Sequence, residues 1–218
     1  MTAIGELTSP NRSILGSGAV GHETVQQIIN IAATAEAFAV TALGGALANA
    51  AAGKLALSAP QIRALTAARA EEQAHYLYLT GAGAKPLTTT FTIPDPKIVT
   101  DVPTFLTTLI VLEEIFVAAY LAAAQQFAML GRPRLAQLAL QIGAVEAEHR
   151  VGVRSFAIDA GVLTGTPNDV AFEKALFTSV GGAANVLRSQ GFIGGRGAQV
   201  TYPGPGAIDF TGVKYLRP

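Results

Sequence analysis

The chain has 218 residues, half of them hydrophobic, with 15 basic and 15 acidic side chains and no cysteine. The missing cysteine excludes disulfides, thiolate metal sites, iron–sulfur clusters and cysteine nucleophiles. The balanced charge leaves no overall electrostatic reason to bind nucleic acid.

Charged residues make up 14% of the chain, against a usual value of ~25%. A surface so poor in charge favours self-association, so a homo-oligomer is expected. Residues 1–20 lack a basic stretch followed by an apolar one. They read as a flexible arm, and the protein as cytoplasmic, or extracytoplasmic if a signal has been removed. His22 follows the arm and reads as a surface residue.

Four long helical patterns come next. The first runs from about Glu23 to Ala52. The second starts near Ser58, where Ser58-Ala59-Pro60-Gln61 has the form of a capping box, and stops near Gly81 as its C′ residue. The third runs from about Asp101–Pro103 to Leu130, with Gly131 ending it. The fourth starts at Pro133, a good first-turn residue, and continues to about Ala160, before Gly161. Residues 53–57 and 131–132 are short joints, so helices 1–2 and 3–4 should be antiparallel hairpins.

The link over residues 81–100 is long and has no helical period. A helix of ~22 residues is ~33 Å long, and a 20-residue link reaches ~66 Å extended. The link can therefore cross the full length of a bundle. Two hairpins joined by one long crossover predict an all-α, ferritin-like four-helix bundle over residues 21–161. Residues 162–218 form a C-terminal extension. Asn168–Gln190 suggests one or two short helices broken at Gly181-Gly182. Residues 191–218, rich in Gly and Pro, read as a tail that wraps the bundle, meets a neighbouring subunit or stays mobile. The first pattern passes a crude length test for a membrane span. It is mostly alanine without flanking basic residues, and each long helix carries a mid-helix acid, so no span is expected.

The mid-helix ionisable groups are Glu36 in the first helix and Glu71, Glu72 and His75 in the second. The third has Glu113 and Glu114, and the fourth has Glu146, Glu148 and His149. Helical spacing puts Glu72 with His75, and Glu146 with His149, on shared faces. Apolar neighbours at helical spacing mark core faces: Ile29, Ala33 and Val40 beside Glu36, and Leu106, Leu109 and Tyr120 beside Glu113. A lone buried carboxylate costs several kcal/mol or becomes neutral. Four at one level need positive charge between them. Two divalent ions balance four carboxylates and two neutral imidazoles, and such oxygen and nitrogen donors suit iron or manganese. Tyr120 and Tyr76 read as core aromatics.

These segments, "AEAF" at 35–38, "AEEQAHYLYL" at 70–79, "LEEIFVAAYLAA" at 112–123 and "AVEAEHRVGVRS" at 144–155, resemble the ferritin-like superfamily. The nearest resemblance is to the ferritin-like domain family that includes desiccation-related proteins. It covers about residues 20–160. It implies a carboxylate-bridged dimetal centre with Glu36, Glu72, His75, Glu113, Glu146 and His149 as ligands, and Glu113 rather than Glu114 because Glu113 lies seven residues before Tyr120. The four glutamates are then the catalytic residues as well. The chemistry implied acts on O2, peroxide or Fe2+: ferroxidase, oxidase or peroxidase with iron, catalase-like with manganese. A non-enzymatic structural or desiccation-stress role, with a structural or empty metal site, is the alternative.

Overall fold

A computed structural model describes residues 23–218. The arm at 1–20 and His22 lie outside the described residues. Four long helices, α1 (Val25–Ala51), α2 (Ala59–Gly81), α3 (Val102–Met129) and α4 (Pro133–Asp159), are followed by a short α5 (Val180–Ser189). Two four-residue strands, β1 (Thr90–Ile93) and β2 (Ala198–Thr201), complete the fold. It is the expected ferritin-like bundle, mostly helical and with little sheet.

The helix starts follow from local chemistry. Thr24 and Ser58 each accept from the backbone N–H three residues on, and Gln27 and Gln61 return a bond to the cap, so both α1 and α2 open on capping boxes. Asp101 caps α3 through Thr104. Gly131 and Gly161, with φ of +67° and +69°, stop α3 and α4 as read from the sequence. For α2 the left-handed residue is Gly83, at φ +96°, and not Gly81, which is the last helical residue. The N–H groups of Gly83 and Ala84 return to the carbonyls of Thr80 and Leu79. That double bond pattern needs a left-handed residue two places beyond Gly81.

α1 pairs with α2 and α3 with α4. One end of the bundle buries Ile28, Leu79, Phe127 and Ile142 together, and the other buries Leu43, Leu65, Leu106 and Val153. The start of α3 therefore lies beside the end of α1, as the crossover requires. α1 and α3 are each long and apolar enough to cross a membrane, and each turns most of its apolar window into the bundle.

The crossover and the tail hold each other. β1, in the crossover, pairs antiparallel with β2 from the tail, with Phe91 opposite Val200. Phe91 and Phe192 pack on Phe38 of α1 at centroid distances of 5.4 and 5.0 Å. Gly197 follows the turn into β2 with φ +145°, and a Cβ there would sit 2.2 Å from the carbonyl oxygen of Ile93. The C-terminal extension thus wraps the bundle. It differs from the sequence expectation in one respect, because Gly181-Gly182 does not break a helix. α5 begins at Val180 and runs through both glycines. Val180 and Gly181 donate their N–H groups to Gln126 Oε1 (3.0 Å) and Glu23 Oε1 (2.9 Å). A Cβ on Gly181 would meet that carboxylate oxygen at 2.3 Å. The glycines are there for close approach, not for a break.

The loop between α4 and α5 is pinned by ion pairs from α4. Arg150, 5% exposed, makes a two-pronged contact with Glu173 at 2.5 and 2.7 Å. Arg154 holds Asp169 at 2.6 Å. Removing one partner of a buried pair leaves the other charge stranded, at a cost of about 3–5 kcal/mol. Glu173 is itself 28% exposed, so water screens part of that. Glu173→Ala is expected to cost about 2 kcal/mol in a denaturant melt.

Candidate metal centre

Midway along the bundle the apolar packing gives way to a cluster of acids and imidazoles. Glu36, Glu72, Glu113 and Glu146 are each 1–2% exposed. They come one from each long helix, and His75 and His149 join them one turn on from Glu72 and Glu146. All six residues expected from the sequence meet there. The i, i+3 spacing puts Glu72 with His75 on one face of α2, and Glu146 with His149 on one face of α4.

The donor atoms fall into two overlapping groups, each with its atoms within 4.8 Å of one another: Glu36, Glu72, His75 and Glu146, and Glu72, Glu113, Glu146 and His149. Glu72 and Glu146 belong to both. His75 Nδ1 lies 3.3 Å from Glu36 Oε2, 3.7 Å from Glu72 Oε2 and 3.7 Å from Glu146 Oε1. His149 Nδ1 lies 3.1 Å from Glu72 Oε1 and 3.4 Å from Glu146 Oε2. Each shared carboxylate thus turns one oxygen toward each imidazole.

These atoms are orphans. Glu36 Oε2, both oxygens of Glu72 and of Glu146, Glu113 Oε2 and both histidine Nδ1 atoms are buried without a hydrogen-bond partner. Buried polar atoms are nearly always satisfied, and eight in one spot are costly unless cations share them. A divalent first-row ion holds its ligands at about 2.0–2.2 Å, so the ligands of one ion stand about 3–4.4 Å apart. The spacing within each group suits one ion.

Electrostatics tells the same story without metal. Burial, and then the charge of Glu72, push the Glu36 carboxyl well above the usual range. Burial also raises Glu113 well above it and raises Glu146. Glu72 is held well below: burial opposes its charge, but the His149 and His75 rings, with Nδ1 3.1 and 3.7 Å from its oxygens, outweigh it. Burial works against charge on His75 and His149 too, yet the carboxylates around them raise both well above the ordinary histidine value. Protons hold the cluster together where cations are lacking. Metal must displace them, so its binding should release protons and weaken as pH falls through these raised values. Glu72, already ionised, contributes none. Titrating the metal-free protein in weak buffer with a pH indicator measures this release.

The surrounding residues sort the remaining candidates. Glu114 leaves the cluster and pairs with Lys174 at 2.6 Å. Glu148 is exposed. Glu71 turns outward from Glu72, and His149 Nε2 donates to its Oε2 at 2.7 Å. Tyr120 is buried, but it is more than a core aromatic, since its hydroxyl donates to Glu36 Oε1. Its signal in the sequence was the seven-residue step from Glu113, which puts both on one face of α3. Tyr76 packs on Tyr202 of the tail, and the Tyr202 hydroxyl exchanges hydrogen bonds with the fully buried Gln73. Nothing in the sequence around Tyr202 marks that distant partner.

Such a cluster, held by four carboxylates and two imidazoles in a dry core, can hold metal. Residues 24–158 match the family model of a ferritin-like domain. No curated protein and no solved structure matches the chain. The family match takes in all four long helices and all six clustered residues, and on that ground the chain belongs to the ferritin-like domain family.

Proposed function

We propose that the cluster holds two divalent ions, iron or manganese, and that the protein acts on O2, peroxide or Fe2+ as an oxidoreductase. The observation that carries this reading is the double use of Glu72 and Glu146. Each presents one unsatisfied oxygen to either side, which is how a carboxylate spans two cations. Four carboxylates and two M2+ also sum to zero charge, which suits a core this dry.

When bound, such ions supply redox chemistry toward dioxygen or peroxide. The chain supplies the rest. Glu36 and His75 complete one position, and Glu113 and His149 the other. Tyr120 holds Glu36 Oε1, leaving Oε2 free to face the cluster. Glu71 orients the His149 ring through Nε2, so Nδ1 points inward. Leu109, Leu112, Ile115 and Phe116, all buried, line the stretch of α3 around Glu113 and keep bulk water out. Oxygen and imidazole donors without thiolate fit both iron and manganese.

The test is paired. Protein loaded with Fe2+ is assayed for oxygen uptake, and protein loaded with Mn2+ for oxygen release from peroxide. Turnover in either that disappears in Glu72→Ala supports the reading. Loaded protein inert in both assays contradicts the enzymatic part of it.

A further inference from the structure

We propose that the two ion positions are unequal: Glu71 braces the Glu113–His149 position and makes it the tight one, while the Glu36–His75 position opens on a cavity and exchanges its ion. The inference rests on the dimetal reading above and goes beyond it.

Glu71 adjoins the shared ligand Glu72, and about 100° of helix rotation turns it off the cluster face. Its Oε2 accepts from His149 Nε2 at 2.7 Å. A carboxylate accepts, so Nε2 carries the hydrogen and Nδ1 is left to ligate. Loss of such an outer partner costs about 10–100-fold in metal affinity. Among the described residues the His75 ring has no such acceptor; on its side of the cluster the outer hydrogen bond goes from Tyr120 to Glu36. Among those residues the contacts of His75 with acids all run from Nδ1.

His75 instead lines a cavity of about 470 Å³ between the outer faces of α2 and α4 and the C-terminal segment 212–218. Glu71, Ala74, Tyr78, Ile142, Val145 and Glu148 are on its helical wall, and Leu216 faces them from the tail. A water molecule's share of liquid is about 30 Å³, so the space accommodates hydrated ions and small oxidants with room to spare. His149 is not on that wall, although its partner Glu71 is, and its side chain is 7% exposed against 13% for His75. An ion at the His75 position is therefore the one that solvent and small ligands reach.

Metal-free full-length protein is titrated with Mn2+ at fixed pH, and free Mn2+ is followed by electron paramagnetic resonance. The expected curve has two steps, one ion bound at least about tenfold more tightly than the other. Glu71→Ala weakens the tight step about 10–100-fold and spares the weak one. Glu71→Gln, which keeps an acceptor oxygen, restores most of the loss. His75→Ala removes only the weak step. Two equal steps, or a Glu71→Ala curve that matches wild type or shifts only the weak step, overturn the inference while leaving the dimetal reading intact. Failure to bind any Mn2+ overturns both. Should Glu71→Ala not fold by circular dichroism, His75→Ala and Glu71→Gln still decide: loss of the tight step in His75→Ala contradicts the assignment.

Discussion

Glu72→Ala is expected to empty both ion positions, whereas Glu36→Ala empties one. Glu72 gives an oxygen to each group, so its removal takes a ligand from both at once. Glu36 serves only the His75 side. The metal content of Glu72→Ala should fall to near zero per chain, and that of Glu36→Ala to about one. Glu146→Ala should match Glu72→Ala, since its two oxygens are divided in the same way. The contrast does not come from lost charge, because each substitution deletes one carboxylate. It comes from sharing. Equal losses in the Glu36 and Glu72 variants would mean that the carboxylates do not bridge.

Thermal stability should depend on metal more than on any other single feature. A ligand at a thousand times its Kd adds about 4 kcal/mol to folding, so two ions add about 8. In a domain of this length about 1 kcal/mol moves the midpoint by about 2–4 °C. A rise of about 20 °C on loading is expected in a calorimetric melt. The effect should be larger at higher pH, and the signs show why. His75 and His149 have raised values in the folded chain, so their contribution is complete below about pH 6.5 and fades as pH rises through the raised values. Glu36, Glu113 and Glu146, also raised, follow the same course from about pH 4.5. Glu72, lowered, works in the opposite sense at acid pH and is already ionised near neutrality. The metal-free protein therefore weakens toward alkaline pH, where metal binds best. A Glu72→Ala chain should show little of this metal-dependent rise.

Much of the architecture was legible because it is local. The capping box at Ser58 needs four residues, and the helix face that joins Glu72 to His75 needs only four. The length of the crossover was enough to set the direction of α3. The choice of Glu113 over Glu114 came from the family resemblance, which puts the ligand seven residues before Tyr120, and Glu114 indeed turns to Lys174. What escaped was pairing between distant segments. β1 reads "TFTI", β-branched and aromatic enough for a strand, but its partner β2 lies more than a hundred residues on, and no local pattern announces that register. The Gly181-Gly182 pair misled for a related reason. Glycine signals a break when nothing else is known. Here Glu23 and Gln126 supply acceptors for the first turn of α5, and the glycines make room for Glu23 and Phe177. The bracing of His149 by Glu71 depends on side chains of two different helices and could be read only from their placement.

Elemental analysis of the protein, purified without added metal or chelator, decides whether the cluster holds metal. About two iron or manganese ions per folded chain are expected. A folded helical protein that carries no iron or manganese, and takes up neither when they are supplied, would contradict the dimetal reading.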